Sequence, residues 1–406
     1  MNTTTTVDAL DWPPQGVPAA ARGALRLLER LQQGTLTVQL PDGSARRFGS
    51  GDPHATLQLA SWQPFVRSLR SGDIGFAESY VDGQWSTPSL PDLLLLLLRN
   101  REALDDAVYG SAWGRLAYRL RHWLNRNTRS GSRRNIHAHY DLGNAFYAAW
   151  LDPTMNYSSA LFDGTPGQPL EQAQEAKMRR ALRMAGVQPG HRVLEIGCGW
   201  GALAELGARE FGAHVTGVTL SREQLAWGQE RLDRARLAGR TELRLQDYRD
   251  LQEPPFDAIC SIEMVEAVGR TFWPAYFGTL HRLLKPGGQA CVQAIVIADG
   301  LWERYIAGTD FIQQYIFPGG CLPCPREFVR AAQAAGLEVV DAHAFGPDYA
   351  ETLRRWRERF LAARAQVQAL GFDERFMRLW EFYLAYCEAA FAAGNTDVVQ
   401  YTLRRP

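Results

Sequence analysis

The rhythm of apolar and polar positions changes along the chain, and the changes divide it. Residues 20 to 100 mix short strand and helix signals: the alternation Thr35-Leu-Thr-Val-Gln-Leu40, the turn Pro41-Asp-Gly43, and an acidic and aromatic patch at Glu78-Ser-Tyr-Val-Asp-Gly-Gln-Trp85. They predict a small α+β module. The leucine run Leu93 to Leu98 is far short of the roughly twenty residues a bilayer requires, so it predicts a buried helix segment. From about residue 170, strand-like runs at Val193–Ile196, His214–Val218, Glu242–Gln246, Ala258–Ile262 and Ala290–Ile297 alternate with helical stretches such as Glu223–Leu237 and Trp273–Leu284. Such alternation predicts an α/β fold with a doubly wound parallel sheet, whose ligands lie beyond the carboxyl ends of the strands. Beyond residue 350 the pattern is helical, over Glu351–Leu370 and Asp373–Ala393. The organisation expected is a flexible tail over 1–20, the module over 21–112, a basic linker helix over 113–135, and an α/β domain over 136–406 with a helical C-terminal segment.

Composition narrows the partners. The 406 residues are 46% hydrophobic and 22% charged, with 44 basic side chains against 44 acidic ones, so no global field points to nucleic acid. Charge is instead local. Arginines 115, 119, 121, 126, 129, 133 and 134 crowd a stretch free of acidic residues and interleaved with Leu116, Tyr118, Leu120, Trp123 and Leu124. Two readings stand: a solvated basic linker, or contact with an anionic membrane surface, where each nearby cation adds about 1 kcal/mol. The first twenty residues carry a threonine run and three prolines with no basic region before an apolar core, unlike a signal peptide. Six scattered cysteines fit reduced thiols in a cytosolic protein. Cys321-Leu-Pro-Cys324 lacks a second ligand pair, so no metal site is expected.

The strongest candidate chemistry is Val193-Leu-Glu-Ile-Gly-Cys-Gly-Trp-Gly201, a strand running into alternating glycines that permit a sharp turn and a close ligand. Dinucleotide loops read G-x-G-x-x-G; this tighter loop with Trp200 favours a ligand without phosphates, leaving NAD as the alternative. Thr219 and Ser221, after the second strand, are placed to pair with a ribose, and Ser221 is equally suited to cap the following helix.

His139-Tyr-Asp-Leu-Gly-Asn144, Met155-Asn-Tyr-Ser-Ser159, the glycine loop, Gly217-Val-Thr-Leu-Ser221, Gln246-Asp-Tyr-Arg-Asp250, Gln314-Tyr-Ile-Phe-Pro-Gly-Gly-Cys-Leu-Pro323 and Phe345-Gly-Pro-Asp-Tyr349 follow one another in the order seen in cyclopropane-fatty-acyl-phospholipid synthases, which the chain resembles over nearly its whole length. That resemblance implies a Rossmann-like, S-adenosylmethionine-dependent methyltransferase acting on cis double bonds of phospholipid acyl chains, cytoplasmic and peripheral to the inner face of the membrane, and often dimeric. By the same resemblance the cofactor would contact Tyr157, Ser158, Glu195, Gly197, Cys198, Gly199, Trp200, Gly201, Thr219, Leu220, Ser221, Gln224, Gln246, Asp247 and Tyr248.

In the family resembled, a bound bicarbonate takes the proton released on ring closure, clasped by Cys, Glu, His, Tyr and a backbone group of Ile. Glu266, Tyr349 and Ile295 match three of these positions, while Ser159 stands for the Cys and Gln293 for the His. Ser and Gln still donate hydrogen bonds to an anion, so bicarbonate as the bound base, in an altered pocket, stays an expectation of the resemblance; neither replacement can carry a positive charge near neutral pH, which implies an alternative ending in a methylene- or methyl-branched chain. Tyr157, Phe162, Tyr315, Phe317 and Tyr349 are aromatic candidates for holding a substrate cation. Cys387 matches a C-terminal cysteine once favoured as a nucleophile; among Phe382, Leu384 and Phe391 it reads equally as a buried, inert thiol. Two further readings are a methyltransferase for a soluble small molecule and a lipid-binding relative without turnover.

Overall fold

The computed structural model describes residues 17–104, 142–162, 164 and 167–406, so the basic stretch 113–135 and nearly all of the N-terminal tail lie outside the described residues. The chain forms two compact units. One gathers the N-terminal residues with Tyr305–Ile316 and Gly371–Ala393; the other holds the α/β region through Arg304, then Phe317–Leu370 and Gly394–Pro406.

In the N-terminal unit β1 (Gly34–Gln39), β2 (Ala45–Ser50), β3 (His54–Leu59) and β4 (Trp85–Ser86) form a sheet in the order β2-β1-β3-β4. β1 runs antiparallel to β2 and parallel to β3. The leucine run lies in helix Leu90–Arg99, where Leu93, Leu94 and Leu96 are buried. Helix Glu374–Ala392, read from the sequence as part of the 136–406 domain, packs in this unit instead. Its Phe382 ring lies 5.7 Å from Tyr80 and 5.0 Å from Phe311, and the Arg378 Nε donates to the Tyr80 carbonyl at 2.6 Å. Helical spacing reveals an apolar face but not the surface that covers it.

The second unit is built on β5 (Arg192–Ile196), β6 (His214–Thr219), β7 (Thr241–Leu245), β8 (Phe256–Ile262), β9 (Leu284–Ile297), β10 (Glu338–Ala344) and β11 (Thr396–Arg404), in the order β10-β11-β9-β8-β5-β6-β7. All five predicted strands are present and parallel. β11 is the correction: a C-terminal region read as helical ends in a strand inserted antiparallel between β9 and β10. Val398 to Leu403 are all buried, and a strand covered on both faces shows no alternation to read. β6 and β7 extend from one side of β5, β8 and β9 from the other. The crevice beyond the carboxyl ends of β5 and β8 is therefore the topological switch point where such sheets bind ligands.

Candidate active site

At the end of β5 the backbone turns through Gly197, Gly199 and Gly201, with φ of 83°, 50° and 83°, into helix Ala202–Glu210. These left-handed angles suit glycine. A Cβ at Gly197 would approach Met264 to 3.0 Å, whereas one at Gly199 would meet nothing within 4 Å, leaving room for a ligand against the backbone. Around this loop a pocket is lined by Tyr157, Ser158, Glu195, Gly197, Cys198, Gly199, Trp200, Thr219, Leu220, Gln224, Gln246 and Tyr248, all predicted cofactor contacts. Glu195, on the pocket lining, keeps one buried carboxyl oxygen without a hydrogen-bond partner, and burial raises its pKa to about 8. The open glycine backbone and this orphaned carboxyl fit the donor-rich methionine and ribose of S-adenosylmethionine.

Three further predicted contacts, Gly201, Ser221 and Asp247, are absent from that lining and hold structural partners. A Cβ on Gly201 would meet the Gly228 Cα at 3.3 Å, so its glycine lets helix Arg222–Arg234 close on the loop. Ser221 caps that helix, its hydroxyl accepting from the Gln224 N–H at 3.2 Å. Asp247 is occupied by Arg249, whose Nε and Nη2 donate to it at 2.8 and 2.5 Å. Trp200 is anchored rather than free, donating from Nε1 to Asn144 at 2.7 Å.

Beside this pocket lies a buried polar cluster. Glu263, the residue after β8, also lines the pocket. Its carboxylate accepts from the Ser159 N–H at 2.8 Å, the Gln293 amide at 2.7 Å and the Tyr349 hydroxyl at 2.7 Å. Gln293 is oriented in turn by Gln400 of β11, whose amide donates to its carbonyl at 2.9 Å. Burial raises the pKa of Glu263, opposed by the Lys177 charge and by these three bonds. Lys177, fully buried, donates to the Ser158 hydroxyl at 2.5 Å. Loss of water pushes its pKa down to about 8, against the pull of Glu263, Asp152 and Glu195. Glu266 accepts from the Ile295 N–H and leaves its other oxygen buried and unpartnered; burial and the Glu263 charge raise it to about 8. Burial thus works against charge on Glu263, Glu266 and Lys177 alike, and the Lys177–Glu263 attraction opposes it at Lys177 and Glu263.

Residues 127–401 match the family described as mycolic acid cyclopropane synthetase, about two thirds of the chain. The chain belongs to the mycolic acid cyclopropane synthetase family. Similar members include the tuberculostearic acid methyltransferase UfaA1 of Mycobacterium tuberculosis, 42% identical over 427 residues that cover 98% of this chain and 96% of that protein. The cyclopropane-fatty-acyl-phospholipid synthase of Escherichia coli is 35% identical over 366 residues, 88% of this chain and 89% of that one. Among solved structures, mycolic acid cyclopropane synthase CmaA1 complexed with SAH and CTAB superposes with a TM-score of 0.63 at 32% identity, covering 67% of this chain and 97% of that one. The fold is that of an S-adenosylmethionine-dependent methyltransferase, and the chain is an enzyme of this family.

Five of the catalytic candidates that family resemblance supplied converge here: Ser159, Gln293 and Tyr349 on Glu263, and Ile295 on Glu266. Ser159 contributes its backbone N–H; its hydroxyl donates to the Ala160 carbonyl at 2.9 Å. Cys387 does not join them. It lies on helix Glu374–Ala392 of the other unit, and removal from water pushes its thiol well up.

Tyr157 packs at 5.4 Å on Trp356, which meets Tyr349 at 6.1 Å, and Tyr157 reaches Phe317 at 6.4 Å. The Arg355 guanidinium lies 4.5 Å over the ring of Phe162, and Tyr315, in the N-terminal unit, donates its hydroxyl to Glu78. Trp150 and Trp356 join the group around Tyr157.

Glu263, Lys177 and Gln400 escaped the sequence reading. Lys177 had a signal: it interrupts the apolar stripe Leu170, Ala173, Met178, Ala181, Leu182 of helix Leu170–Met184. Glu263 had one too, as an acid immediately beyond a predicted strand. Gln400 had none, because its strand was not foreseen.

Proposed function

We propose that this enzyme transfers the methyl group of S-adenosylmethionine to the cis double bond of an unsaturated acyl chain in membrane phospholipids. The observation that carries this reading is the Glu263 carboxylate, fixed by three donors on the wall of the cofactor pocket. An isolated alkene is a weak nucleophile, and its methylation leaves a carbon cation that water would quench. S-adenosylmethionine supplies an electrophilic methyl group. The aromatic faces of Tyr157, Phe317 and Trp356 stabilise positive charge without attacking it, and a buried carboxylate accepts the proton the cation must lose. The names of the relatives, a fatty-acyl-phospholipid synthase and a fatty acid methyltransferase, support the same substrate class.

Loss of that proton with ring closure gives a cyclopropane chain. A second reading, an open methylene- or methyl-branched chain, is favoured by Gln293 and Ser159 at the base site and by similarity to a tuberculostearic acid methyltransferase. Substrate would be met at an anionic membrane surface through the arginine-rich stretch 113–135.

Transfer of labelled methyl into oleoyl phospholipid vesicles is the expected result. Cofactor binding with no labelled lipid, or labelling of soluble amines alone, refutes the reading. Lipids from a host lacking its own synthase then separate ring from branch by nuclear magnetic resonance, since a cyclopropane and a methylene branch both gain one CH₂.

A further inference from the structure

Glu263 bears two energetic costs. Its carboxylate is buried, and its backbone adopts φ 49°, in the left-handed region that penalises every residue with a Cβ except asparagine and aspartate least. Non-glycine residues held this way concentrate at functional sites. The groups that hold Glu263 are also the ones the family resemblance assigns to a bicarbonate: the Ser159 position, the Gln293 position and Tyr349. A free bicarbonate does not fit them. All three donors are directed at Glu263, the Ile295 N–H is directed at Glu266, and a second anion would face the Glu263 carboxylate.

We propose that Glu263 is the catalytic base of this enzyme, a protein carboxylate seated where its relatives' mechanism needs a borrowed anion. The proposal rests on the methyl transfer proposed above. The alkene π pair forms the new C–C bond to the methyl carbon while the S–C pair leaves with sulfur, and the adjacent acyl carbon becomes cationic. Glu263 takes a proton from the added methyl. The freed C–H pair either closes the three-membered ring on the cationic carbon or, after a hydride shift onto that carbon, forms an exocyclic double bond. Electrons and protons balance with no further reactant. Burial strengthens the carboxylate as a base, and the nearby Lys177 charge opposes part of that rise. Tyr349 and Gln293 fix its direction.

The test uses the full chain and two variants. E263G suits the left-handed backbone and is expected to fold; E263Q keeps the size and loses the basicity. Two readings are taken: bicarbonate binding by titration and by ¹³C resonance, and labelled-methyl transfer to oleoyl phospholipid vesicles in carbon-dioxide-free buffer with and without added bicarbonate. The wild type is expected to bind no bicarbonate and to turn over at one rate in both buffers. E263Q should lose about 100-fold or more in rate while binding S-adenosylmethionine normally. E263G should be inactive without bicarbonate, bind it, and regain part of its rate when it is added. Wild-type enzyme that binds bicarbonate or is accelerated by it overturns the proposal, as does E263Q at wild-type rate. If the wild type labels no lipid, the proposed function has failed, and the binding measurement alone still judges whether Glu263 fills the anion seat.

Discussion

Lys177 is cut off from water, a loss offset by its bond to the Ser158 hydroxyl and by the charges of Glu263, Asp152 and Glu195. Burial likewise disfavours the charged forms of Glu195 and Glu266 and raises both pKa values to about 8, the Lys177 charge opposing the rise at Glu195 and the Glu263 charge adding to it at Glu266. The consequence is a pH dependence of stability. A carboxyl raised from 4.5 to about 8 on folding binds more protons in the folded chain than in the unfolded one across that window. Its contribution is complete below pH 4.5 and lost as pH rises through 8, at no more than about 1.4 kcal/mol per unit. E266Q removes one such group. Its unfolding free energy in urea should fall less steeply than that of the wild type between pH 5 and pH 8; parallel slopes would show that Glu266 is not protonated in the fold. At this scale the sequence exposed most of the residues that line the pocket, together with Glu266 and the positions Ser159, Gln293, Tyr349 and Ile295 that bond to it or to Glu263. It could not show that Ser159 uses its backbone rather than its hydroxyl, or that Ser221 and Asp247 are consumed by local hydrogen bonds. Those choices depend on where each side chain finds a partner.

At the scale of elements, the cofactor site depends on how closely β6 and helix Arg222–Arg234 approach the glycine loop. Gly217 of β6 lies beside Glu195 of β5, and a Cβ there would meet the Cys198 Cβ at 2.8 Å and the Leu243 Cδ2 at 2.6 Å. Leu243 can rotate away, but the Cys198 Cβ moves only with the loop. G217A is expected to cost about 1–3 kcal/mol of stability and to weaken S-adenosylmethionine binding about tenfold. Denaturation and calorimetric titration measure the two, and unchanged affinity would mean that the loop tolerates displacement. The parallel strands β5 to β9 were legible because each apolar run is bounded by turn residues and followed by a helical pattern. β11 was not, since it is buried on both faces and follows a helix. Gln400, which orients Gln293, was hidden with it.

For the whole molecule, balanced charge means that any attraction to an anionic surface must come from a local cluster. Replacing Arg133 and Arg134 by glutamine should weaken binding to anionic vesicles by about 30-fold, at about 1 kcal/mol for each charge. Sedimentation at rising salt should release the wild type. Equal binding to neutral and anionic vesicles would remove the arginine stretch from the explanation. The sequence by itself determined the fold class, the glycine turn after β5 and the family, because strand periodicity, glycine spacing and collinear motifs are local properties. The tertiary structure alone decided that Glu374–Ala392 belongs with the N-terminal unit, that β11 enters the sheet, and that Ser159, Gln293 and Tyr349 all point at Glu263. A hydrogen bond between residues a hundred positions apart leaves no mark on the spacing of either, so the carboxylate at the centre of the site becomes visible only when the strands are brought together.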